Sequence, residues 1–143
     1  MYKASILLIL LIFLSSCRTG PVDPNPVVDK KTGKKVHTMA FLEVKIDEYM
    51  EMMDWPERAV FKLERRKNLD HPDVKKFAAA FVENMLKTTK LKHPDEKFNK
   101  LSMESYKTTV VFQKAVESGK LDLIKKEWKN VQNACTKCHD IYD

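Results

Sequence analysis

Glycine is scarce in this chain, with three in 143 residues, and aromatic residues make up only 9%. Val, Ile, Thr and Tyr do not gather into alternating runs, so no strand stands out. Beyond the N-terminal segment no apolar run approaches the roughly 20 residues that span a bilayer. Nothing resembles a nucleic-acid-binding motif. No nucleophile–base pair or acidic dyad presents itself, so an enzyme is not expected. Cysteine is nearly absent too: Cys17 stands alone, and Cys135 and Cys138 form a close pair. What is abundant is charge, 32% of residues. The length allows one domain, and the composition suits a helical protein.

The chain opens MYKASILLILLIFLSSC. Lys3 precedes an apolar run from Ile6 to Leu14, and small residues lead to Cys17, the pattern of a secretory signal. An ordinary signal peptide would leave Cys17 incidental. Leu14-Ser15-Ser16-Cys17 instead resembles a lipobox, whose cysteine takes a diacylglyceryl group and becomes the first residue after cleavage. Residues 1–16 are then a lipoprotein signal peptide, Cys17 is the lipidation site, and the protein is anchored to a membrane in the periplasm. Arg18, in place of Asp, favours the outer membrane by the sorting rule of enteric bacteria.

The formal charge of +6 falls to +5 when residues 1–16 leave with Lys3. A basic exported protein suits an anionic membrane surface or an acidic protein partner. Residues 17–36 follow the signal. They hold three of the six prolines and two of the three glycines without apolar periodicity, which predicts a flexible tether reaching at most about 60 Å.

From 37 to 143 the pattern is helical. Leu42, Ile46, Tyr49, Met53, Pro56, Val60 and Leu63 recur at spacings of four and three. Val74, Phe77, Phe81, Met85 and Leu86 mark a second segment. Met103, Tyr106 and Val110, flanked by Phe112, Ala115 and Val116, mark a third that ends at Gly119, a helix-terminating glycine. Leu121, Ile124, Trp128, Val131, Cys135, Cys138 and Tyr142 mark the fourth. Four such stripes joined by short links predict an all-α, up-and-down, antiparallel four-helix bundle. Pro56 is expected to interrupt the first helix, with Asp54 and Glu57 able to cap a new one. His71-Pro72-Asp73 and His93-Pro94-Asp95 are each expected to open a helix or turn rather than to bind metal.

The chain ends NACTKCHDIYD. Cys135 and Cys138 fall on the fourth stripe, and His139 sits one turn after Cys135. A dithiol–disulfide motif usually opens a helix after a strand, whereas this one closes a helix. A zinc site needs more ligands, and the other histidines are scattered. Covalent haem uses both thiols and the adjacent histidine. It also accounts for every cysteine once Cys17 is lipidated, and it requires the export that the signal supplies.

SGKLDLIKKEWKNVQNACTKCHDIYD resembles the terminal helix of class II c-type cytochromes, the cytochrome c′ family. The match is strong over about 25 residues, and helix count and spacing extend it loosely to 37–143. The resemblance implies one haem c bound covalently near the C-terminus by Cys135 and Cys138, with His139 as the proximal iron ligand. In this family the other iron face is either closed by a first-helix methionine, giving an electron carrier, or left five-coordinate, where nitric oxide or carbon monoxide binds. The distal position lies roughly twenty residues before the second helix. Counting back from Pro72 reaches Met52 or Met53, and only Met53 lies on the apolar stripe. Met53 is therefore the expected distal ligand and Met50, one turn away, the reserve.

The resulting expectation is an exported, lipid-anchored electron carrier with an acidic redox partner. Many relatives form homodimers through the first two helices, so a homodimer is among the allowed states. The alternatives are a five-coordinate, gas-binding cytochrome c′, and an envelope lipoprotein without cofactor whose Cys135 and Cys138 form a disulfide.

Overall fold

The computed structural model describes residues 25–142; residues 1–16 and Cys17 lie outside the described residues. Four helices account for most of the described residues: α1 (Met39–Arg65), α2 (Asp73–Lys90), α3 (Glu96–Ser118) and α4 (Leu121–Tyr142). Ahead of them, β1 (Val27–Val28) pairs antiparallel with β2 (Lys35–Val36), Val27 opposite Val36.

Three consecutive helix pairs pack closely, α1 on α2, α2 on α3 and α3 on α4. The α1–α4 seam lacks that close backbone approach among the described residues. One continuous core runs through all four helices, built on Met53 and Val60 from α1, Phe77 and Phe81 from α2, Phe112 and Val116 from α3, and Ile124, Trp128 and Val131 from α4. Trp128 is fully buried, with the rings of Phe81 and Phe112 on it at 5.8 and 5.4 Å. Its indole Nε1 donates to Glu64 Oε2 at 2.9 Å, tying α4 to the end of α1.

The helix ends follow local chemistry. Both His-Pro-Asp stretches do open helices, in the same way: His71 Nδ1 accepts from Asp73 N at 3.2 Å and His93 Nδ1 from Asp95 N at 3.0 Å. Each imidazole thus holds an amide at a helix entry, where no backbone partner exists. Asp95 is the N-cap of α3 and accepts from Lys97 N. Gly119 closes α3 at φ 66, the left-handed conformation that glycine adopts without steric penalty.

Several of the sequence expectations need correction. α1 runs unbroken through Pro56, which is buried inside it. Asp54 caps nothing; its carboxylate takes the Arg58 guanidinium one turn on, at 2.8 Å. Proline removes the N–H that would have reached the carbonyl of Met52. Asn84 on α2, itself buried, donates its Nδ2 to that carbonyl at 3.4 Å, while Lys87 Nζ donates to its Oδ1. A side chain of the neighbouring helix replaces the lost backbone donor. Asn84→Leu should therefore lower stability by about 1 kcal/mol, the effect of losing a part-buried hydrogen bond. The loss should shrink in a Pro56→Ala background, where the helix supplies its own N–H. Chemical denaturation of the four proteins in that cycle checks it; an equal loss in both backgrounds would rule out the compensation.

The second correction concerns α3. Met103 is 40% exposed and Tyr106 and Val110 are only half-buried, whereas Phe98, Leu101, Ser102, Ser105, Thr109 and Phe112 face the core. Hydropathy hides this face because three of its members are small and polar. On α2, Leu86 likewise points outward while Val74, Phe77, Phe81 and Met85 are buried.

The hairpin carried no strand signal. Asp29 organises it by accepting from Lys31 N at 2.9 Å and Thr32 Oγ1 at 2.7 Å. The segment is docked on the α2–α3 link: His37 N donates to Lys92 O and Lys92 N donates back to His37 Nδ1, both at 2.9 Å. Lys34 pairs with Glu96, and Phe41, Leu42 and Leu91 form a small apolar cluster beneath.

Candidate cofactor cavity between the first and last helices

Where α1 and α4 fail to close on each other, side chains line a cavity of about 670 Å³. Its α1 wall carries Met50, Met53, Glu51, Asp54 and Glu57; its α4 wall carries Gln132, Cys135, Thr136 and His139; Phe81 of α2 also lines it. The volume lies within the roughly 300–1,000 Å³ of small-molecule and cofactor sites.

A narrower recess of about 40 Å³ is lined by Met50, Met53, Cys135, Cys138 and His139, together with Met85, Thr88, Phe98, Ser102 and Ser105. The small α3 residues make this space. Thr88 and Thr109 return their hydroxyls to carbonyls of their own helices, at 3.1 and 2.8 Å. Ser102 does not: it is 2% exposed, and its Oγ has no hydrogen-bond partner among the described residues. A buried unpaired hydroxyl costs about 1–3 kcal/mol, which a polar atom of a bound group would relieve.

The sequence-expected site residues converge here. Cys135 and Cys138 are half-buried and not joined by a disulfide. His139 lines both spaces while remaining exposed on its outer side. Among the first-helix methionines, Met53 is 7% exposed, whereas Met39 and Met52 point to solvent. Met50 is half-buried and lines both spaces beside Met53. Cys17 lies outside the described residues.

Burial pushes the Cys135 thiol up to about 11, with the Glu57 carboxylate and Cys138 adding to the effect. The thiol is thus neutral at physiological pH, which makes it a poor redox-active nucleophile. Among the described residues no three His, Cys, Asp or Glu side chains gather as a metal site.

Sequence reasoning did not find Ser102 and Ser105, since isolated serines within a helix carry no pattern. Nor did it find the latch at the end of α4. Tyr142 Oη donates to Asp95 Oδ2 at 2.6 Å, and its ring packs edge-on against Phe98 at 5.3 Å. This hydrogen bond holds the Asp95 carboxyl below its usual range. Burial, then the same carboxylate, push Tyr142 up to about 12. The only signal available was the last apolar position of the fourth stripe.

Comparison with known proteins gives no match: no family model fits the chain, and no curated protein or solved structure is significantly similar to it.

Proposed function

We propose that this protein is a lipid-anchored electron carrier of the cell envelope, a class II c-type cytochrome of the cytochrome c′ kind. In this reading residues 37–143 form an antiparallel, up-and-down bundle, supported by the short links between consecutive helices. One haem lies between α1 and α4. Cys135 and Cys138 hold it through thioether bonds, His139 is the proximal iron ligand, and Met53 is the distal one with Met50 in reserve. The signal segment supports export, Cys17 supports anchoring in the periplasm with the outer membrane favoured, and the basic charge supports an acidic redox partner.

One observation carries the proposal: Cys135 and His139 of the α4 motif and the two methionines of α1, some 80 positions apart in the chain, line the same cavity, and Cys138 joins all four in the smaller recess. The donor set suits haem. Two thiols flank an imidazole on one helix, soft thioethers face them from another, and Phe81, Phe98 and Met85 supply apolar walls. The unpaired Ser102 hydroxyl adds a polar contact point inside the recess. Bound there, haem would supply one-electron redox chemistry, and the residues that hold it would tune its potential. The protein's own part is to hold that ligand set in fixed register. Trp128 and Val131 seat the turn before Cys135 in the core, the Tyr142–Asp95 hydrogen bond pins the turn after His139, and Asn84 supports the α1 turn that carries Met53.

The optical spectrum of the purified protein, oxidised and reduced, tests this. The ferric wild type should be low-spin. Met53→Ala should convert it to high spin and let carbon monoxide bind rapidly to the reduced form, whereas Met50→Ala should change little. The reverse pattern would reassign the ligand to Met50. A wild type already high-spin and quick to bind carbon monoxide would establish the gas-binding alternative. The absence of any haem absorption would overturn the proposal.

A further inference from the structure

The tether ends earlier than its composition suggests, and the docked hairpin changes where the body can sit. Backbone pairing of His37 with Lys92 fixes residues 27–36 to the α2–α3 link. Between Cys17 and Asn25, the first described residue, the chain spans at most about 26 Å. The end of the bundle bearing the hairpin is therefore the end nearest an anchor at Cys17. Its exposed surface is basic. Lys30, Lys31, Lys35 and Lys92 are all exposed, and none stands within 4 Å of a carboxylate among the described residues, although Lys31 lies close enough to Asp29 to help hold its carboxyl below the usual range. Of the carboxylates beside them, Glu96 is paired with Lys34, while Asp29 accepts from Thr32 and Lys31 N and Asp95 from Tyr142 and Lys97 N. Val27 and Val28, 50% and 59% exposed, add apolar surface beside the lysines. A cleft of about 320 Å³ opens between hairpin and link, with Lys34, Lys35 and Lys92 in its walls beside Thr32 and Thr89.

We infer that the hairpin and the α2–α3 link form a second membrane contact, which takes the phosphates of anionic lipid headgroups. The inference rests on the lipid-anchor reading of Cys17. A covalent lipid supplemented by a basic patch holds a protein on a bilayer more firmly than either alone. The contact also sets the orientation of the bundle. The Tyr142–Asp95 hydrogen bond brings the last turn of α4 to this same end, so the Cys-x-x-Cys-His motif lies in the membrane-proximal part of the body. Electron exchange would then take place near the bilayer surface, with a membrane-bound partner.

The test uses the full-length lipidated protein, verified by mass, in nanodiscs of phosphatidylcholine alone or mixed with phosphatidylglycerol. Amides of residues 27–36, 91–93 and 95 should exchange tenfold or more slowly in the anionic discs, and high salt should abolish the slowing. Each lysine near such a surface contributes about 1 kcal/mol, so Lys31→Ser, Lys35→Ser and Lys92→Ser combined should weaken the docked state about a hundredfold. That variant should keep its melting temperature, because the pairing with His37 uses the backbone of Lys92. Equal exchange in the two lipids, on protein that carries the diacyl mass, would overturn the contact and leave the anchor standing. Protein isolated without diacyl modification would overturn both.

Discussion

Alanine at both Cys135 and Cys138 should abolish covalent haem. On a denaturing gel the wild type should keep a peroxidase-active haem band and the double variant should show none. Each single variant should retain a weakened band or lose it, because one thioether still tethers the group but maturation uses both. The expectation rests on the two thiols standing one turn apart on α4, both lining the narrow recess and followed directly by His139. Wild-type protein that surrenders its haem to acid–acetone extraction would refute covalent attachment. A cofactor-free lipoprotein with a Cys135–Cys138 disulfide makes the opposite forecast: no haem stain in any variant, and two thiols that become titratable only after reduction.

Trp128→Asp should leave the bundle largely unfolded. Truncating a buried Trp costs about 3–5 kcal/mol, and a buried carboxylate without a partner adds several more. A domain of this size is stable by only about 5–15 kcal/mol. Trp128 is fully buried between Phe81 and Phe112, and its indole N–H faces the Glu64 carboxylate, not a cation. Trp128→Phe is the control. It keeps an aromatic ring in the core but removes the donor to Glu64 Oε2, a loss of about 1 kcal/mol since the half-buried carboxylate can turn to water, to which the smaller ring adds a cavity cost while leaving no buried charge. Thermal melts followed by far-ultraviolet circular dichroism separate the two. If Trp128→Asp melted with the wild type, the core assignment of α4 would be wrong.

Both results reach the cavity through α4, the element most readable in the sequence. Its stripe from Leu121 to Tyr142 needs no tertiary information, because apolar residues spaced by three and four can share only one side of a helix. The Cys-x-x-Cys-His spacing is equally local, as are the glycine at the end of α3 and the two His-Pro-Asp helix entries, where imidazole and amide lie two residues apart. For these features the sequence alone was sufficient. It was not sufficient where a partner comes from far along the chain. The continuity of α1 through Pro56 depends on Asn84, 28 residues later. The docking of the hairpin depends on backbone groups of Lys92, which no side-chain pattern records. The inward face of α3 was hidden because Ser102, Ser105 and Thr109 are buried for their small size, a property that hydropathy does not measure. Net charge failed in the same way: a chain of formal charge +6 lines its cavity with Glu51, Asp54 and Glu57, since a sum over residues carries no position. The sequence by itself determined which side chains could carry the chemistry and on which helices they stand. Only the tertiary structure decided that Met50 and Met53 face Cys135 and His139 across one cavity, because that depends on how far α1 and α4 stand apart, and packing against α2 and α3 sets that distance.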